Sequence, residues 1–159
     1  MNLEEGLRKF FGEGQVKAAL VGIGNPLRGD DGVGVRIVEL LQENGLRNVM
    51  LLNTETVPEA FTGKVAEYNP THVLLLDAAN FHGEPGDVKL IESSKIGGQA
   101  ISTHSLPLTI FIGYIEKTLG SKVLLLGIQP RNIEYFTEMS REVEKTAREI
   151  AGLLRKILG

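Results

Sequence analysis

The chain alternates short, almost purely apolar runs with segments whose apolar residues recur at helical spacing, and this alternation limits the fold more than any other feature. Ala18-Ala19-Leu20-Val21, Val73-Leu74-Leu75-Leu76 and Val123-Leu124-Leu125-Leu126 show no polar alternation. Such runs suit strands covered on both faces, which is the habit of parallel sheets. Strands are therefore expected over 17–23, 72–77 and 123–128. Two more are expected, at 49–52 and at 88–91, the latter interrupted by Lys89 and so suited to an edge. Helices are expected over 2–11, 32–44, 58–68, 106–119 and 137–157. Gly45 and Asn69-Pro70 act as stops, and Pro107 sits in a first turn, where a missing N–H costs little. The fold class that follows is α/β: a three-layer α/β/α arrangement around a mostly parallel, twisted sheet of about five strands.

At 159 residues this is one domain, long enough to bury roughly two-thirds of the surface its unfolded chain exposes. Residues 1–16 read as a helical N-terminal appendage, with Leu3, Leu7, Phe10 and Phe11 on one face, and residues 17–159 as the domain proper. With no cysteine, disulfide scaffolds, zinc fingers, iron–sulfur proteins and cysteine hydrolases are excluded. A net charge of −3 argues against a general nucleic-acid binder. No apolar run approaches the ~20 residues of a membrane helix, and residues 1–5 lack the basic and apolar regions of a signal peptide. A cytoplasmic protein without membrane insertion is the expectation.

In open parallel sheets, ligands collect beyond the carboxyl ends of the strands. After the first strand comes Gly22-Ile23-Gly24-Asn25-Pro26-Leu27-Arg28-Gly29-Asp30-Asp31-Gly32. Leu27 stands where a dinucleotide fingerprint needs a glycine, and Asp30-Asp31 stand where a P-loop needs Lys and Ser or Thr. Two carboxylates repel phosphate, so this loop suits a cation or a proton rather than a nucleotide. One of them is accounted for by helix capping; the adjacent pair is not. Asp77 closes the third apolar run, with Asn80 after it, and reads either as a turn-forming loop residue or as a site carboxylate. Gln129-Pro130 follow the fifth strand. Of the three histidines, His72 and His82 read as surface residues. His104, within Ser102-Thr103-His104-Ser105, is a loop histidine or a ligand. Asp31, Asp77 and His104 come from three separate strand–helix junctions that can converge on one rim. Two carboxylates and an imidazole suit a borderline divalent metal with open positions. A serine hydrolase lacks its nucleophile elbow here.

Gly22-x-Gly24-Asn25-x-Leu27-x-Gly29-Asp30-Asp31-Gly32-x-Gly34 resembles the opening motif of the nickel–iron hydrogenase maturation endopeptidases. Asp77-Ala78 resembles their second acidic motif, and Thr103-His104-Ser105-Leu106-Pro107-Leu108 their histidine motif. Leu126-Gly127-Ile128-Gln129-Pro130 is similar to the branch that processes hydrogenases of formate hydrogenlyase and related membrane-bound complexes. The resemblance runs from about residue 18 to the last helix. It implies an endopeptidase that removes a C-terminal extension from a hydrogenase large-subunit precursor after nickel insertion. It maps the family's metal-contacting residues onto Asp31, Asp77 and His104, the three candidates singled out by position, with Asp30 supporting the loop. The nickel would come from the substrate, the precursor would be the partner, and the enzyme would act as a monomer without a nucleotide.

Two features depart from the family pattern. Asn53-Thr54-Glu55-Thr56-Val57-Pro58-Glu59 stands where many relatives carry a Gly-Gly pair, and residues 1–16 match no counterpart. Two other functions fit the same residues: a non-catalytic nickel-binding chaperone or docking module for the precursor, and a small metal-dependent hydrolase of a non-protein substrate. Loss of a C-terminal peptide from the precursor separates the first of these from a protease.

Overall fold

The computed structural model describes residues 2–96 and 105–159. Five strands form one sheet: β1 (Ala18–Ile23), β2 (Val49–Glu55), β3 (His72–Ala78), β4 (Val88–Glu92) and β5 (Lys122–Ile128). The helices are α1 (Leu3–Phe11), α2 (Val33–Glu43), α3 (Thr62–Tyr68), α4 (Ser105–Tyr114) and α5 (Arg141–Leu158). The strand order is β2-β1-β3-β5-β4. All neighbours pair in parallel except β4, which runs antiparallel on β5 and forms one edge, as Lys89 suggested.

The unbroken apolar runs are explained by two cores, one on each face of the sheet. Leu74 and Leu76 of β3 pack with Leu20, Ile37, Leu41, Leu126, Ile150 and Leu154. Their neighbours Val73 and Leu75 point the other way and pack with Val21, Val65, Phe111 and Leu125. A strand with period 2 and a core on each side has no solvent face to give to polar residues. Helices α1, α2 and α5 cover the first face, and α3 and α4 the second. Leu7 and Phe11 of α1 are buried in the first core, with Leu3 and Phe10 packed against it.

Several boundaries differ from the sequence expectation. The helix expected from residue 32 is preceded by a 3-10 turn over Gly29–Gly32, which holds the acidic pair. The helix expected over 58–68 is a 3-10 turn over Pro58–Phe61 leading into α3. That expected over 106–119 starts at Ser105 and widens into a π-turn over Ile115–Leu119. The last helix starts at Arg141 instead of residue 137, because Ser140 is extended as its N-cap, with its N–H and hydroxyl bonded to Asp30.

His72 corrects a second expectation. It is buried, not on the surface, because α1 lies over the start of β3. The Phe10 ring meets the imidazole edge-on at 5.3 Å, and Phe11 lies 5.9 Å away. Thr71 Oγ1 is 2.8 Å from His72 Nδ1. Burial, with help from the nearby Lys122 charge, holds the His72 pKa below the ordinary histidine value; a bond to the Phe10 carbonyl opposes the shift in part. His82 is exposed, as expected.

Candidate active site

The chain leaves β1 towards β2 on one side, while β3 pairs on the other. The carboxyl ends of β1 and β3 therefore flank the point where the winding direction reverses, the usual ligand crevice of an open α/β sheet. The glycine-rich loop after β1 and Asp77 near the end of β3 both lie there.

Glycine spacing in the loop is set by close backbone approaches. At Gly34 an added methyl would sit 1.9 Å from the Leu76 carbonyl oxygen, so the first turn of α2 rests directly on the β3 backbone. Gly24 has φ +131°, and a methyl there would sit 1.9 Å from the Asp31 carbonyl oxygen and 3.5 Å from Asp77 Oδ1. The backbone of Asp31 and the carboxylate of Asp77 thus crowd one glycine from opposite elements. This contact brings the first two candidates into a single locus.

The adjacent aspartates have separate partners. Asp30 is fully buried and accepts hydrogen bonds from the Arg131 N–H (2.8 Å), the Asn132 N–H (3.2 Å), the Ser140 N–H (2.7 Å) and the Ser140 hydroxyl (2.9 Å). Its own N–H donates to the Asn132 carbonyl at 3.0 Å. It is the staple that joins the glycine-rich loop to residues 131–140. Asp31 is buried, and its Oδ2 accepts the Asn25 N–H at 2.9 Å. Neither carboxylate caps α2: its N-cap is Gly32, with no side-chain bond. Asp77 is fully buried in β3, opposite Gly127 of β5. It is not the turn-forming loop residue that one reading of the sequence allowed.

His104 lies outside the described residues. Among the described residues, no group of three His, Cys, Asp or Glu side chains is arranged to hold a metal. Asp31 and Asp77 carry oxygen donors of the kind a divalent ion takes.

Sequence reasoning left Gln129 without a role. Its Oε1 accepts the N–H groups of Phe81 (2.9 Å) and Gly83 (3.1 Å), and its Nε2 donates to Asn80 Oδ1 (3.2 Å). Gln129 therefore clamps the loop that follows Asp77. The end of β2 is held too. The Thr54 hydroxyl donates to the Gly22 carbonyl at 3.2 Å, and the Gly24 N–H to the Glu55 carbonyl at 2.8 Å. Glu55 has φ +50° at a bulge in the β1–β2 pairing, the backbone region that glycine favours. Within the departure at 53–59, Glu55 thus takes a backbone that glycine favours while carrying a side chain.

Comparison with known proteins adds independent findings. A family model described as hydrogenase maturation protease, HycI, matches residues 35–157. A Methanocaldococcus jannaschii protein assigned as a hydrogenase maturation protease is 36% identical over 89% of this chain and 88% of its own length. The hydrogenase 3 maturation protease of Escherichia coli is 26% identical over 82% of this chain and 84% of its own length. The crystal structure of the [NiFe] hydrogenase maturation protease HycI from Thermococcus kodakarensis superimposes with a TM-score of 0.88 at 38% identity, covering 96% of this chain and 98% of that one.

Proposed function

The chain belongs to the hydrogenase maturation protease family, and from that premise we propose that it removes the C-terminal extension of a nickel–iron hydrogenase large-subunit precursor once nickel is in place. It is an endopeptidase of hydrogenase processing. The finer reading is that Asp31, Asp77 and His104 recognise the nickel already held by the precursor. The motif Leu126-Gly127-Ile128-Gln129-Pro130 favours a partner of the formate-hydrogenlyase or related membrane-bound type.

The observation that carries this reading is the crowding of Asp31 and Asp77 about Gly24 at the reversal of the winding. The Asn25 N–H orients Asp31 before any substrate arrives, so little ordering remains to be done on binding. A divalent ion presented by the precursor takes oxygen donors from the two carboxylates, and His104 adds a nitrogen donor. Three N/O donors without a thiolate make an open set, suited to an ion that keeps ligands of its own. One added coordination contact then distinguishes a nickel-loaded precursor from an empty one, and a 100-fold preference needs only about 2.7 kcal/mol. In the hydrolysis itself, water oxygen adds to the scissile carbonyl carbon, the C–N bond breaks, and the departing amine takes the proton. A carboxylate of the site is chemically able to carry that proton.

The test mixes chelator-stripped, desalted enzyme with nickel-loaded or nickel-free precursor and follows the precursor by mass spectrometry. Cleavage of the loaded form alone is the expected result. Equal cleavage of both forms would refute nickel recognition. Cleavage of neither, restored by metal added to the enzyme, would make this a conventional metalloprotease. Binding without any cleavage would leave the docking module.

A further inference from the structure

Beside the acidic locus lies a surface that neither the fold nor the chemistry of hydrolysis requires. Leu27 of the glycine-rich loop is 58% exposed, Tyr135 59% and Phe136 84%. The chain has only nine aromatic residues, and two of them stand side by side in this loop after β5. Phe136 also takes φ +61°, a conformation that a bulky side chain adopts only at a cost. An exposed ring on a strained backbone gives the isolated protein no stability in return.

The backbone of the patch is nevertheless tied to the glycine-rich loop. The Phe136 N–H donates to the Leu27 carbonyl at 2.6 Å, and the Leu27 N–H to Asn25 Oδ1 at 2.9 Å. The Asn25 N–H in turn donates to Asp31. Arg28 Nε donates to the Ile133 carbonyl at 3.1 Å, and its guanidinium lies 5.1 Å from the Tyr135 ring centre. One continuous series of bonds therefore joins the backbone that carries the exposed rings to the candidate catalytic aspartate. Exposed aromatic and arginine side chains are the usual anchors of protein–protein recognition.

We propose that Leu27, Arg28, Tyr135 and Phe136 form the face on which an apolar surface of the hydrogenase precursor docks, setting the scissile bond relative to Asp31. This rests on the precursor-processing reading above. The occupant is the precursor, because the patch is hydrogen-bonded to the very loop that must receive it. A second copy of this chain on the same face would obstruct that loop.

The test is the double variant Tyr135→Ala/Phe136→Asn, asparagine being a residue that tolerates positive φ. Two quantities are measured with the full-length, nickel-loaded precursor of the same organism. The first is processing, with kcat and KM resolved. The second is binding in an Asp31→Asn background, where cleavage does not interfere. A KM raised tenfold or more, with kcat within twofold, an undiminished melting temperature and binding weakened by the same factor, is the expected result. An unchanged KM in a wild type that processes the precursor would overturn the docking face, as would unchanged binding. A wild type that binds but does not cut, with the double variant binding tenfold more weakly, upholds the face and defeats the protease reading. A wild type that does neither defeats both.

Discussion

Asp30 and Asp31 are consecutive residues whose carboxylates serve opposite sides of one loop. Asp30 collects the N–H groups of Arg131, Asn132 and Ser140 and the Ser140 hydroxyl, while Asp31 takes the N–H of Asn25. Asp30→Asn is expected to cost about 2–4 kcal/mol of stability, because the amide keeps one acceptor oxygen where the carboxylate has two, and sets an NH2 donor against the buried donors that used the other. Asp31→Asn is expected to keep its melting temperature within a few degrees and to lower processing by about 100-fold or more. Thermal unfolding and precursor processing, measured together on both variants, check the division. Equal destabilisation by the two substitutions would contradict it.

Gly24→Ala should be far worse than its size suggests. The added methyl would meet the Asp31 carbonyl oxygen at 1.9 Å, on a backbone with φ +131°. A loss of more than about 3 kcal/mol, read from urea unfolding, is the expected outcome. A near-neutral result would show that the loop can open without harm.

Phe136→Gly should stabilise the protein. The ring buries little, and glycine relieves the left-handed backbone, worth about 1 kcal/mol. For a chain of this size that is a rise of about 2–4 °C in Tm. A fall in Tm would mean that the ring packs in the free protein.

His72 makes stability depend on pH in a definite direction. Its folded pKa is lowered by burial and by Lys122, so below the ordinary histidine value the unfolded chain binds the proton more readily than the native one. Stability is full above about pH 6.5 and declines as the pH falls from there through the folded pKa. His72→Gln is expected to flatten this part of the profile, measured as ΔG of unfolding between pH 7.5 and 5. The same slope in the variant would assign the effect to another group.

Gln129→Ala tests the clamp on the loop after Asp77. It leaves the N–H groups of Phe81 and Gly83 without their acceptor. A loss of about 1–3 kcal/mol is expected, with faster amide exchange confined to residues 79–87. Unchanged exchange there would remove Gln129 from that role.

Much of the fold was legible in the chain because the relevant signals are local. Val73-Leu74-Leu75-Leu76 could only be a strand covered on both faces, and Lys89 marked an edge. Asp31 and Asp77 were singled out because each follows or ends such a run, and the structure crowds both about Gly24. The burial of His72 was not legible, since it depends on where α1 lies, and no local pattern near residue 72 records that. The exposed pair Tyr135-Phe136 had a visible signal, two adjacent aromatics in a polar loop of an aromatic-poor chain, but periodicity has nothing to say about a loop.

By its own pattern the sequence determined a three-layer α/β domain with acidic residues at the carboxyl ends of its strands, because apolar periodicity and glycine placement act between near neighbours. Only the tertiary structure decided which of two adjacent aspartates became the staple and which turned back to Asn25 within the loop. That choice depends on Asp30 meeting Arg131, Asn132 and Ser140, more than a hundred positions along the chain. A carboxylate goes where buried N–H donors need an acceptor, and those donors reach Asp30 only after β5 has paired with β3 and carried the following segment to the same rim.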